Sequence, residues 1–188
     1  MTFMTNITYA FTKQKMLGAL LIDIKGAFNN VIPNVLVNDL IEMGLSTKII
    51  NFVNFLVQGR QSSFYYNNIF IAKNTLSKGV PQGSVLSPIL FNIYLNKIEH
   101  HIGQCSNLQF ADDCAITFSG RYEEDILNNL KLGAETLIKW LNFRGLSVTI
   151  HKTKYILFHK RLNIENLSLF INNEEKLRKI KQQRHATY

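Results

Sequence analysis

Three carboxylates stand where carboxylates are costly. Asp23 ends the apolar run of residues 16–22, and Asp112 and Asp113 sit side by side between Phe110-Ala111 and Cys114-Ala115-Ile116. An unpaired carboxylate in such surroundings costs on the order of several kcal/mol in desolvation. Each therefore calls for a positive partner, either a basic side chain or a metal ion. Adjacent acids also repel each other, and a divalent cation between them removes that penalty. If the two segments are neighbours in one sheet, the three acids converge on a hard-oxygen site of the kind that suits Mg²⁺. Side chains of consecutive strand residues face opposite ways. At most one of Asp112 and Asp113 then shares a face with Asp23 unless the backbone turns, and Asp112 is the expected closer partner, with Asp113 secondary. Taken singly, each acid has a plainer reading, as a strand-end cap or a solvated loop residue.

The elements that must position these acids follow from periodicity. Residues 17–22 lack alternation, as expected of a strand buried on both faces. Residues 34–43 show helical spacing after Pro33, with Gly44 as the terminator. A second helix is predicted from Ser46 to about Val57, with Ile49, Ile50, Val53 and Leu56 on its buried side. Asn67-Asn68 between Phe64-Tyr65-Tyr66 and Ile69-Phe70-Ile71 marks a hairpin. Ser87-Pro88 reads as an N-cap followed by proline at the first helical position, opening a helix that runs to Ile98. Residues 108–118 form two short strands or one bent ribbon around the acidic pair. A long helix begins at Glu123-Glu124-Asp125, where the helix dipole favours acids, and buries Ile126, Leu130, Leu137 and Leu141 up to Gly145. Residues 148–150 and 155–158 are two further strand candidates. This order implies an α+β fold, an antiparallel sheet with helices packed on one face.

Composition narrows the class. A length of 188 residues with 46% hydrophobic content suits one packed domain, and there is no repeat or low-complexity tract. Of the net charge of +8, residues 144–188 carry +7, from ten Lys/Arg against three acids. That stretch, with the basic end over residues 172–188, is expected either to attract phosphate backbones or to be a solvated, partly disordered tail. Cys105 and Cys114 fit neither a disulfide framework nor a zinc site and are expected to be buried thiols. No basic-then-apolar leader or membrane-length run occurs, so the expectation is an intracellular protein, in the cytoplasm or the nucleus, away from membranes.

Four segments resemble the motifs of reverse transcriptases, especially those of non-LTR retrotransposons. Leu21-Ile-Asp-Ile-Lys-Gly-Ala-Phe-Asn-Asn-Val31 resembles motif A. Gly79-Val-Pro-Gln-Gly-Ser-Val-Leu-Ser-Pro-Ile-Leu-Phe-Asn-Ile-Tyr-Leu95 resembles motif B, and Phe110-Ala-Asp-Asp113 the motif C box. Gly145-Leu-Ser-Val-Thr-Ile-His-Lys-Thr-Lys154 resembles motif D. The four stand in family order within residues 17–160. One four-residue acidic box arises by chance often; this ordered set does not.

The resemblance implies a polymerase palm-like fold and RNA-directed DNA polymerase activity, with an RNA template, a DNA primer and deoxynucleoside triphosphates as partners. Asp23 and Asp112, assisted by Asp113, are implied as ligands of two Mg²⁺ ions, for which Mn²⁺ can substitute. Phe28 would lie beneath the sugar and select against a ribose 2′-hydroxyl; its plainer reading is core packing. Pro81, Gln82 and Gly83 would form a turn close to the nucleotide, with Gln82 contacting the nucleotide or the template. Lys152 would protonate or neutralise the pyrophosphate, or else is one more exposed lysine. Family members commonly carry Asp where this chain has Asn29. They also carry fingers motifs before motif A and a primer grip and thumb after motif D. The 22 residues before Asp23 and the basic end match none of these, so the expectation is a core with fingers and thumb largely missing. The rival expectation is a catalytically inactive nucleic-acid-binding remnant of a decayed retroelement.

Overall fold

The computed structural model describes residues 3–110, 113–159, 169–173 and 176–180. In chain order the elements are α1 (Phe3–Thr12), β1 (Met16–Asp23), α2 (Pro33–Glu42), α3 (Thr47–Val57), β2 (Arg60–Tyr66), β3 (Ile69–Leu76), α4 (Ser87–Tyr94), β4 (Ser106–Phe110), β5 (Asp113–Gly120), α5 (Glu123–Phe143), β6 (Lys154–Phe158), β7 (Leu169–Asn173) and β8 (Lys176–Ile180). Short 3₁₀ turns occupy Ala27–Asn29 and Ile98–His101. The α+β class expected from the sequence is the class observed. No helix among the described residues is long and apolar enough to cross a membrane.

The chain divides into two compact units, one of residues 1–25, 97–143 and 147–188, the other of residues 26–96 and 144–146. The first is built on a four-stranded antiparallel sheet in the order β4-β5-β1-β6. Because side chains alternate along a strand, β1 serves two layers. Gly18, Leu20 and Ile22 face one side, where α5 supplies the expected helix layer. A Cβ at Gly18 would lie 2.2 Å from Ile126 Cγ2 and 2.9 Å from Leu130 Cδ1, so only glycine lets α5 approach this closely. Ile126, Leu130, Leu137 and Leu141 are all fully buried, as their spacing predicts. On the opposite face Leu17, Ala19 and Phe158 form a cluster with Ile7 and Ala10, so α1 covers one end of that face. Beyond this cover the same face continues to Leu21 and Asp23. β7 and β8 pair as a separate two-stranded ribbon.

The second unit packs α2 against α3 and α4 around Leu36, Leu40, Val53, Val57, Leu90, Phe91 and Tyr94. Gly44 ends α2 in the left-handed conformation, at φ 73°. The hairpin β2–β3 turns at Asn67 and Asn68, both with positive φ (46° and 63°), the geometry that favours Asn in a two-residue hairpin loop.

Four local expectations are corrected. On α3 Val53 is buried as expected, but Ile49 is exposed, Ile50 and Leu56 are half-buried, and Val57 is the second buried residue. Ser87 does not cap α4, because its hydroxyl donates to the Pro81 carbonyl instead. That helix stops at Tyr94 rather than Ile98, and the chain tightens into the 3₁₀ turn at Ile98–His101. Residues 148–150 are not a strand: Val148 makes one isolated bridge with Ile24, and Lys152 and Thr153 then bond back to the Thr149 carbonyl as a turn.

Candidate active site

The residues singled out by the sequence fall into two groups, one in each unit. In the first unit, Asp23 is the last residue of β1 and Asp113 the first of β5, and the two are cross-strand partners in the antiparallel register. Directly opposed residues of such a pair put their side chains on the same face, with Cβ atoms about 5 Å apart. Two carboxylates are thus held side by side on the face that carries Leu21 and Ala115. Asp112 lies outside the described residues; of the two neighbouring acids, the register gives Asp113 the place opposite Asp23. The strand end is fixed by its backbone, since Thr149 donates to the Asp23 carbonyl (2.8 Å) and Lys25 donates to the Ser147 carbonyl (2.8 Å). This anchoring carries the next turn, and with it Lys152, to the carboxylates. Lys152 Nζ is 3.8 Å from Asp23 Oδ2.

The electrostatics leave room for more positive charge. Lys152 is 62% exposed and Asp23 40% exposed, so their pairing is screened and weak. Two like charges opposed across strands are destabilising by themselves. A cavity of about 620 Å³ opens beside them, lined by Leu21, Asp23, Leu108, Asp113, Lys152 and Lys154 among others. Its floor is apolar and its rim is charged. Both acids supply hard, anionic oxygens at an open rim, so the donor set fits a Mg²⁺- or Mn²⁺-like ion that keeps other ligands on its free side. Among the described residues no three His, Cys, Asp or Glu side chains converge, and the third acid of the expected set is Asp112. Cys114, which lines the same cavity, and the more distant Cys105 are both inert thiols. Burial pushes Cys114 up to about 12 and Cys105 up to about 11, so neither is a thiolate at neutral pH.

In the second unit, Phe28 lies in the 3₁₀ turn after β1 and rests its ring on Phe91 of α4, with centroids 5.1 Å apart. The turn of residues 79–83 is stapled to this segment. Gly79 donates to the Val31 carbonyl (2.7 Å) and Val80 to the Phe28 carbonyl (2.8 Å). Gly79 has φ 88°, and a Cβ there would lie 2.9 Å from the backbone of Asn29 and Phe28. The glycine at the start of this turn is therefore required by both conformation and space. Pro81 accepts hydrogen bonds from Ser84 and Ser87, which shape the turn behind Gln82 and Gly83. Gln82 is exposed, and its Nε2 donates to Asn29 Oδ1 at 2.9 Å.

Three contributors escape sequence reasoning. Arg60 Nη2 donates to the carbonyls of Lys78 and Gly79, both at 2.8 Å, gripping the entry to the turn from β2. Asn29 is the partner of Gln82. Arg144 forms a buried ion pair with Asp39 and stacks its guanidinium 4.2 Å from the centre of the Tyr94 ring. The Tyr94 hydroxyl in turn donates to the Arg144 carbonyl and accepts from the Ile32 amide. Burial raises the Tyr94 phenol, offset in part by that amide and by Arg144. Arg144 and Asp39 are 105 residues apart in sequence, so no local pattern announces their pairing.

The family described as reverse transcriptase (RNA-dependent DNA polymerase) matches residues 2–186. A probable RNA-directed DNA polymerase from transposon X-element of Drosophila melanogaster is 23% identical over 156 residues, 81% of this chain and 17% of that protein. A retrovirus-related Pol polyprotein from type-1 retrotransposable element R1 2 of Nasonia vitripennis is 31% identical over 96 residues, 50% of this chain and 23% of that one. The chain thus spans about a fifth of the length of these curated relatives. A solved telomerase from Candida albicans, in complex with a fragment of telomeric RNA, aligns with 96% of this chain and 33% of its own at a TM-score of 0.47 and 12% identity. Because the family match runs over residues 2–186, the chain belongs to the reverse transcriptase (RNA-dependent DNA polymerase) family.

Proposed function

We propose that this chain carries the catalytic core of an RNA-directed DNA polymerase, which joins deoxynucleotides to a primer 3′-hydroxyl on an RNA template. The observation that supports it most is the register that sets Asp23 opposite Asp113 at an open, charged rim. Asp23 and Asp113, with Asp112 as the third acid, would hold the divalent ions. When bound, a pair of Mg²⁺ ions supplies Lewis-acid activation of the 3′-hydroxyl and charge neutralisation on the leaving pyrophosphate. Lys152, already 3.8 Å from Asp23, brings a mobile ammonium that can donate a proton to that leaving group. Phe28, buttressed by Phe91, presents a flat apolar edge suited to packing beneath a deoxyribose, and a 2′-hydroxyl there would lose its hydration without gaining a partner. Pro81 and Gly83 shape the turn that presents Gln82 to the nucleotide. These substrates place the reaction inside the cell.

One observation favours a second reading. The +7 carried by residues 144–188 attracts phosphate backbones without any catalysis, as a silent nucleic-acid-binding protein would. Incubation with an RNA template, an annealed DNA primer, Mg²⁺ and labelled deoxynucleotides separates the two. Template-dependent primer extension is the expected result. Retention of the RNA–DNA duplex with no incorporation would select the second reading.

A further inference from the structure

Gln82 is the exposed tip of a turn whose backbone is held without help from its side chain. Arg60 grips the carbonyls of Lys78 and Gly79, and the amides of Gly79 and Val80 bond to Val31 and Phe28. The bond from Gln82 Nε2 to Asn29 Oδ1 is therefore not needed to form the turn. It does something more specific. A glutamine amide can offer a ligand either its NH₂ donors or its carbonyl acceptor, and rotation about the last side-chain bond exchanges them at little cost. Once the Gln82 amide is bonded to Asn29, one of its two ends is committed and the other is left for a ligand. Asn29 is well placed for this, because its backbone is packed directly against Gly79, 2.9 Å from where a Cβ would stand.

We infer that Asn29 is a positioning residue that holds one end of the Gln82 amide, so that its other end is directed at the incoming nucleotide. The inference rests on the reading that Gln82 meets the nucleotide.

Two measurements on the whole chain test it. In the side-chain amide NMR spectrum, the Gln82 Nε2 protons, identified by their loss in Gln82→Leu, are expected to be shifted from the free-glutamine position. They should return to it in Asn29→Ala and stay shifted in Asn29→Asp, whose carboxylate still accepts. In nucleotide titrations with Mg²⁺, Asn29→Ala should raise KM roughly three- to tenfold, the worth of one hydrogen bond, with kcat unchanged. Asn29→Asp should restore it, and Asn29→Ala should add nothing in a Gln82→Ala background. Unshifted Gln82 protons in the wild-type chain would overturn the inference, as would an equal KM rise from Asn29→Ala with and without Gln82. An effect of Gln82→Ala on KM with none from Asn29→Ala would overturn it alone. No effect of Gln82→Ala would overturn both it and the nucleotide contact beneath it.

Discussion

Asp23→Asn is expected to lower template-directed nucleotide incorporation on the order of a thousandfold, because a divalent-ion site that loses a ligand forfeits several kcal/mol of transition-state stabilisation. The substitution is nearly isosteric and removes only charge. Its effect on stability should be small, within about 0.5 kcal/mol, since the side chain is 40% exposed and its ion pair with Lys152 is screened. Removing one of two opposed carboxylates also relieves their mutual repulsion across β1 and β5. Activity and stability should therefore part company at this residue. Primer extension beside urea denaturation of the same preparation checks both halves. A large drop in the denaturation midpoint would mean that Asp23 serves the fold, and retained extension would remove it from the site.

The opposite pattern is expected at the buried ion pair. Arg144→Leu leaves the Asp39 carboxylate buried without its cation, and Asp39→Leu leaves the guanidinium likewise. Each should destabilise the chain by about 3–5 kcal/mol, whereas the double replacement, which strands no charge, should cost much less than the two losses combined. Arg144→Leu additionally loses the stack on the Tyr94 ring, so it should be the worse of the two singles. Urea midpoints for the three variants test this, and additive losses in the double variant would contradict the coupling.

Much of the fold was legible because local chemistry and tertiary context agree. The unbroken apolar run of β1, the Asn67-Asn68 turn and the acidic start of α5 each signal one outcome, and each occurs. The misreadings came where a distant partner outbids a local preference. Ser87 has the chemistry of an N-cap, but the Pro81 carbonyl is within its reach. Residues 148–150 have strand composition, but Thr149 spends its amide on the Asp23 carbonyl and the chain turns at once. Ile49 fits a helical stripe, yet the stripe that α3 buries is centred on Val53 and Val57.

The candidate site divides in the same way. Acids in apolar surroundings are visible in sequence because their cost is local. Which acid stands opposite Asp23 depends on the register between β1 and β5, and alternation alone leaves two choices. The supports of the turn at residues 79–83 were hidden for a related reason. Arg60 lies outside every motif, and its role exists only because β2 begins beside the Lys78 and Gly79 carbonyls. Lys152 could be read from its motif, but its approach to Asp23 needs the backbone bond at Thr149.

The central claim, that the paired carboxylates at the end of β1 and the start of β5 form a divalent-ion site, can be tested without turnover. Substoichiometric Mn²⁺ added to the isotope-labelled chain broadens the resonances of nuclei close to a bound ion. The expected result is selective loss of the amide signals around Asp23 and Asp113, competed away by excess Mg²⁺ and absent in Asp23→Asn. Broadening spread evenly over the acidic surface, or unchanged in Asp23→Asn, would contradict the assignment.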